Sequence, residues 1–151
     1  MHFPIERGII DFEHEEAYLT ELLKHIFEKD LGLEPRNMKV LMTDCPFNKK
    51  EDKIRLTTLM FDYFKVQSFA LINSAVLSLF STGKTCGLVA ECGEGVTYTV
   101  PIFEGYALPH AMHSLKANGQ DIAGQAITAT LIRELQAGGV QLTGEHFQNV
   151  R

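Results

Sequence analysis

The chain reads ECGEGVTYTVP from Glu91 to Pro101, with Gly93 and Gly95 on either side of an acidic residue. The apolar run Leu88–Ala90 precedes this stretch, and Val96–Val100 alternates apolar and polar side chains. Two segments with strand character joined through glycines predict a hairpin, because glycine can adopt the positive φ that a tight turn requires. Glycine also lets a ligand approach the backbone, so amides in such a turn can form an anion-binding nest. An ordinary hairpin without a ligand is the alternative interpretation.

The rest of the chain alternates predicted helices and strands. Helices are predicted from Asp11 to about Lys29, from about Lys50 to Phe64, from Ser74 to Ser81 and from Gln120 to Gln136, and strands at Lys39–Thr43 and Ser68–Ile72. The strand, helix and strand between Lys39 and Ile72 predict a right-handed parallel unit. The segment Glu104–His110 has no helical period, and its Gly and Pro indicate an irregular or extended connection.

Composition narrows the class of protein without naming one. The 151 residues are 45% hydrophobic and carry a formal net charge of −5, which gives no general reason to expect a nucleic-acid partner. The 3 cysteines lack a C-x-x-C pair, so neither a disulfide framework nor a zinc site is predicted. The longest nearly apolar stretch, Phe69–Phe80, is shorter than the roughly 20 residues of a spanning helix, so no membrane partner is expected.

Three blocks around the hairpin carry a specific resemblance. They read FPIERGII from Phe3, AVLSLF from Ala75 and VPIFEGYALPH from Val100. In this order and spacing, with the hairpin between them, they resemble the actin and actin-related protein family from about Phe3 to about Asp121. The resemblance implies an α/β fold of the actin-like ATPase, ribonuclease-H-like type, with two lobes around a nucleotide cleft.

The resemblance also implies how the chain is divided. Residues 1–82 correspond to the later part of the first lobe, including a hinge helix at Ser74–Ser81. Residues 83–117 correspond to the start of the second lobe with its phosphate hairpin, and residues 118–151 to the start of a small outer subdomain. The first phosphate hairpin of the family has no counterpart before Phe3, and family members continue beyond Arg151. We therefore expect a partial fold, either as a piece of a longer protein or completed by another chain.

The implied cofactor is ATP or ADP with Mg²⁺. By resemblance, the nucleotide is bound at the hairpin by Glu91, Cys92, Gly93, Glu94, Gly95 and Val96. Glu91 stands where the family has an Asp that organises the metal and its waters, so it is the candidate Mg²⁺ contact, acting through water. Its longer side chain moves the carboxylate, and the octahedral geometry of Mg²⁺ tolerates misplacement badly.

The positions that activate water in the family are altered in this chain. Ser74 stands where family ATPases have a Gln on the hinge helix, and Tyr98 stands where they have a His after the hairpin. Ser is too short to reach the attacking water, and a phenol with a pKa of about 10 is a poor proton acceptor. No catalytic residue is therefore assigned, and hydrolysis by the family arrangement is expected to be impaired.

These features predict an actin-like cytoskeletal or complex-forming structural protein in the cytoplasm. Its nucleotide would be weakly or structurally bound, and its partners would be other actin-like subunits or proteins of a larger assembly. The alternative is an active ATP-hydrolysing member of the family, of which this chain is a segment.

Overall fold

A computed structural model describes residues 4–6 and 8–140 of the chain. The strands, in chain order, are β1 (Ile5–Glu6), β2 (Ile9–Ile10), β3 (Lys39–Asp44), β4 (Ser68–Asn73), β5 (Gly87–Cys92), β6 (Thr97–Phe103), β7 (Tyr106–Ala107), β8 (His113–Ser114), β9 (Lys116–Ala117) and β10 (Gln120–Asp121). The helices are α1 (Glu16–His25), α2 (Lys50–Thr58), α3 (Ser74–Phe80) and α4 (Gly124–Ala137). Single π-helical turns, Ile26–Asp30 and Leu59–Tyr63, continue α1 and α2.

The predicted parallel unit is confirmed. β3 and β4 run parallel, with Lys39 opposite Ser68 and Asp44 opposite Asn73, and α2 with its π turn forms the crossover. Alternate residues of the two strands face the helices, as the strand period of two requires. They pack on a cluster of buried apolar side chains from β2, α1, α2 and the turns between them: Ile10, Phe12, Leu19, Leu23, Phe27, Leu56, Met60, Phe64 and Val66.

A second cluster lies between α3 and an antiparallel sheet. β6 is central in this sheet, with β5 on one side and β7 and β8 on the other. The buried side chains are Ala75, Val76 and Leu79 from α3 and Tyr98, Val100 and Ile102 from β6. Helix α3 begins as predicted directly after β4, because the Asn73 side chain accepts a hydrogen bond from the amide of Ala75 at 2.9 Å. The helix therefore joins the parallel unit to the antiparallel sheet.

Two tight turns shape the chain after β6. The connection predicted as irregular or extended, Glu104–His110, contains the short strand β7, and Glu104 and Gly105, both with positive φ, 48° and 82°, fold this strand back onto β6. Asn118 and Gly119, at 51° and 78°, make a similar turn between β9 and β10. Residues 120 and 121 are thus a strand, and α4 begins at Gly124 instead of Gln120.

The first and the last predicted helices also differ from the structure. α1 begins at Glu16, since the carboxylate of Asp11 accepts the amides of Glu13 and His14 and caps the turn before the helix. In α4 no residue is buried, and Ile127 and Leu131, on its predicted apolar side, are exposed. The predicted outer subdomain, 118–151, extends past Val140 and so lies partly outside the described residues.

Candidate functional site

A cleft of about 550 Å³ opens where β3 ends, α3 begins and the β5–β6 hairpin turns. All the candidate residues from the sequence line it: Ser74, Glu91, Cys92, Gly93, Glu94, Gly95, Val96 and Tyr98. Four further lining residues were not predicted, namely Gly8, Thr43, Asp44 and Cys45. Gly8 comes from the turn between β1 and β2. Thr43, Asp44 and Cys45 come from the end of β3 and the residue after it, which the parallel pairing of β3 with β4 brings next to Ser74.

The loop at residues 93–96 is held by its backbone. The amide of Gly93 donates to the carbonyl of Val96 at 3.0 Å, which closes the hairpin after the Cys92–Thr97 pair. The carbonyls of Gly93 and Glu94 accept the amides of Gly124 and Gln125 at 2.9 and 2.8 Å. These two loop carbonyls thus cap the first turn of α4, whose own N-cap residue provides no side-chain hydrogen bond.

This arrangement orients two amides of the loop. In a trans peptide the carbonyl and the following N–H point in opposite directions. The N–H groups of Glu94 and Gly95 therefore point away from α4, toward the cleft side of the loop. No acceptor within residues 4–6 and 8–140 bonds either amide. Two adjacent amides that point in one direction, with no acceptor in the described part of the chain, are suited to bind an anion such as a phosphate.

The expected positive φ of the hairpin glycines is wrong. The hairpin itself is confirmed, but neither Gly93 nor Gly95 adopts positive φ, because the four-residue loop turns less sharply than a two-residue turn. A Cβ on Gly93 would lie 3.5 Å from the carbonyl oxygen of Val96, an ordinary contact. Packing within the described chain therefore does not require glycine at position 93.

The carboxylate of Glu91 is held by three hydroxyl groups. Tyr98 donates a hydrogen bond to Oε2 of Glu91, and Ser74 Oγ lies 3.2 Å from the same oxygen and 2.8 Å from the Tyr98 hydroxyl. Ser78 donates to Oε1 at 2.6 Å. Glu91 and Tyr98 are cross-strand partners, and Ser74 and Ser78 lie one turn apart on the same face of α3.

The environment of Tyr98 favours its neutral form. Burial of the ring raises the pKa of Tyr98 well above its usual value, and the hydrogen bond to the Glu91 carboxylate raises it further. The hydrogen bond with Ser74 lowers the pKa of Tyr98. Tyr98 is therefore a hydrogen-bond donor throughout the physiological range and not a proton acceptor.

Replacing Tyr98 with phenylalanine is expected to lower the free energy of unfolding at pH 7 by about 1.5–3 kcal/mol, since it removes a hydrogen bond to a carboxylate. The raised pKa adds a pH dependence. The stabilisation that Tyr98 contributes is complete below the pKa of tyrosine in the unfolded state, about 10, and is lost as pH rises toward the pKa of Tyr98 in the folded state. In urea unfolding from pH 7 to pH 11, the difference between wild type and Tyr98→Phe should shrink above about pH 10. A constant difference would contradict this.

The Asp44 carboxylate, which also lies in the cleft wall, forms an ion pair with a lysine. Asp44 is buried, and its carboxylate binds the Lys53 ammonium at 2.6 Å and the Asn48 amide at 2.7 Å. The side-chain oxygen Oδ1 of Asn48 in turn accepts a hydrogen bond from the backbone amide of Ile10 at 3.1 Å. These contacts tie the end of β3 to α2 and β2, so we assign Asp44 a structural role. Beside it, burial raises the pKa of the Cys45 thiol.

The donor set is compatible with Mg²⁺ held through water. No group of three or more His, Cys, Asp or Glu side chains in the described part of the chain forms a complete metal cage. Magnesium commonly uses one or two carboxylates together with waters and substrate phosphates, and a carboxylate has about four lone-pair positions. Three hydroxyls approach the Glu91 carboxylate, which leaves about one position for a metal-bound water.

Comparison with known proteins gives the same family as the sequence resemblance. A family model described as Actin matches residues 1–148, which is nearly the whole chain. The mixed helices and sheets fit the α/β fold of that family. Among residues 4–6 and 8–140, no helix is both long and apolar enough to cross a membrane. From this match we conclude that the chain belongs to the actin family.

Proposed function

We propose that this chain is an actin-like structural protein of the cytoskeleton or of a larger cytoplasmic assembly. We also propose that it binds ATP or ADP with Mg²⁺ and that its hydrolysis of ATP is inefficient. Membership of the actin family supports the nucleotide and the assembly with other subunits in general terms. The cleft at the β5–β6 hairpin supports the location, since it gathers the candidate residues of the sequence.

The residues at the hairpin would divide the task of binding. The amides of Glu94 and Gly95 would donate to phosphate oxygens, and Glu91 would accept from a water on Mg²⁺, which neutralises phosphate charge when bound. Gly93 leaves the backbone accessible, while Cys92 and Val96 complete the wall. The negative charges of Glu91 and Glu94 make this a weaker anion site than the amides alone would form.

The contact between Ser74, Tyr98 and Glu91 is the observation that carries the proposal of impaired hydrolysis. A general base for water needs a pKa near the working pH and an acceptor atom within hydrogen-bond reach. Tyr98 remains protonated and uses its proton on Glu91, and Ser74 lies against both groups. Neither residue is available to accept a proton from an attacking water.

The division of the chain is part of the proposal. We assign residues 1–82 to the later part of the first lobe, 83–117 to the start of the second and 118–151 to an outer subdomain, so that the chain spans part of the fold. The two hydrophobic clusters support a division at the start of α3 and not at residue 82, because one comes from residues before α3 and the other from α3 and β6. Helix α3 is then the hinge between the lobes.

The active ATPase remains the second candidate, favoured by the position of the Glu91 carboxylate in the cleft wall. ATP binding, single-turnover ATP cleavage and sedimentation of the full-length protein separate the two. We expect binding and assembly with cleavage far slower than in ordinary actin. A cleavage rate similar to that of actin would favour the second candidate, and absence of both binding and assembly would contradict the first.

A matched variant sharpens this experiment. Restoring the family residues with Ser74→Gln and Tyr98→His should raise the rate of ATP cleavage by about a hundredfold or more, the usual contribution of a positioned acid or base. The single variant Ser78→Ala changes another hydroxyl at Glu91 without adding a base and serves as the control. An unchanged cleavage rate in the double variant, with ATP still bound, would show that these two positions do not limit hydrolysis.

A further inference from the structure

A second groove, of about 530 Å³, shares no lining residue with the cleft at the hairpin. Its walls are the ends of α1 and α2 with their π turns and the single helical turn Pro35–Asn37. Phe27 and Phe64 form an apolar base, since both belong to the first hydrophobic cluster and their ring centroids lie 5.5 Å apart. Tyr63 packs edge-on against Phe64 but is 54% exposed. This aromatic edge can therefore accept an apolar side chain from outside.

The two helices that border the groove end in matching turns. After each π turn, Ile26–Asp30 and Leu59–Tyr63, the second residue has positive φ: Gly32 at 63° and Lys65 at 55°. In both turns the next residue donates its amide to a carbonyl six residues earlier, at 2.9 and 3.2 Å. Glycine adopts this conformation freely, whereas lysine is strained in it. Glycine would thus suffice in the second turn, and the strained backbone instead holds the Lys65 side chain at the groove.

The groove is locally cationic on an acidic chain. It is lined by Lys24 from α1, Arg36 from the connection to β3 and Lys65 from the end of α2. No ion pair within residues 4–6 and 8–140 includes any of these three side chains. Glu28 and Glu34 also line the groove, so three cations and two carboxylates leave a formal net charge of +1, against −5 for the whole chain. Charge complementarity therefore favours a partner that carries carboxylates.

We propose that this groove binds an acidic peptide segment of a partner protein, in which one aromatic or large aliphatic side chain stands between carboxylates. The apolar side chain packs on Tyr63 and Phe64, and the carboxylates pair with Lys24, Arg36 and Lys65. A free phosphate would use the cations and leave the aromatic rings unused. The volume lies within the roughly 300–1,000 Å³ of ordinary ligand pockets. This site is independent of nucleotide binding at the hairpin.

The test titrates the full-length protein with a fluorescein-labelled peptide of Asp and Glu residues around a central Trp, followed by fluorescence anisotropy. Binding should weaken as salt rises, because exposed ion pairs are screened. Tyr63→Ala should weaken it about tenfold, the loss of one aromatic contact at an interface. Lys65→Gly should weaken it about twofold to fivefold, the loss of one exposed ion pair. Since glycine also relieves the left-handed strain, Lys65→Gly should unfold at no lower urea concentration than wild type.

Lys84→Gly is the matched control, because Lys84 is exposed, follows the turn after α3 and does not line the groove. It removes the same charge and should bind the peptide like wild type. A peptide with Ser in place of Trp should bind about tenfold more weakly. Equal weakening by Lys65→Gly and Lys84→Gly, or equal affinity for the Trp and Ser peptides, would overturn the proposal. So would absence of peptide binding by wild type, or displacement of the peptide by ADP or inorganic phosphate.

Discussion

Replacing Gly95 with proline is expected to lower the affinity of the full-length protein for ADP by about tenfold to a hundredfold. Proline removes the amide that points to the cleft, and a hydrogen bond to a charged group contributes about 1.5–3 kcal/mol. Each 1.4 kcal/mol corresponds to about one decade in the dissociation constant. Gly95 does not adopt positive φ, so its backbone is not in the left-handed region that proline cannot adopt.

The control for this variant places proline outside the cleft. Lys49 has φ −65° and ψ 151° just before α2, values that proline adopts without strain, and it does not line the cleft. Lys49→Pro should therefore bind ADP like wild type. Urea unfolding of both variants distinguishes a lost contact from a lost fold. Unchanged ADP affinity in folded Gly95→Pro would show that the Gly95 amide does not bind the nucleotide.

Replacing Met60 with alanine should lower the free energy of unfolding by about 2–5 kcal/mol, the range for large-to-small changes in a packed core. Met60 is 0% exposed and lies in the π turn after α2, where it packs among the side chains of the first hydrophobic cluster. Loss of its side chain removes apolar contacts between the crossover helix and the β3–β4 sheet. This is the largest effect on stability that we expect from a single substitution here.

The comparison is with Ile54→Ala on the same segment. Ile54 is 56% exposed, so its truncation should change the free energy of unfolding by no more than about 0.5 kcal/mol. Both variants are measured by urea unfolding followed with circular dichroism. Equal and small effects would mean that the crossover helix does not cover the parallel strands in solution.

The parallel unit could be predicted from sequence because its signals are local. β3 and β4 are short apolar runs, the helix between them has a helical period, and the handedness of such a connection is nearly fixed. The turn at Asn118 and Gly119 could also be predicted from the sequence, since Asn-Gly is the strongest signal for a two-residue hairpin turn. The helix start predicted at Gln120 is wrong because Asn118 and Gly119 form this turn and α4 begins at Gly124.

The site could be predicted only in part. The resemblance located the residues of the hairpin, and the structure brings all of them into one cleft. The spacing of Ser74 and Ser78 could have indicated a shared helix face, but their common contact with Glu91 depends on how α3 packs on β5. Likewise, the pairing of Glu91 with Tyr98 depends on strand register, which the glycine loop sets by its length.

We propose that the cleft side of the loop at residues 93–96 binds nucleotide phosphate through the amides of Glu94 and Gly95. An ADP titration of the ¹⁵N-labelled full-length protein, followed by amide chemical shifts, tests it directly. We expect the largest shifts at Glu94 and Gly95, and smaller ones at Gly124, whose amide donates to the carbonyl of Gly93. Shifts confined to the separate groove beside Lys24 and Lys65, with Glu94 and Gly95 unchanged, would contradict it.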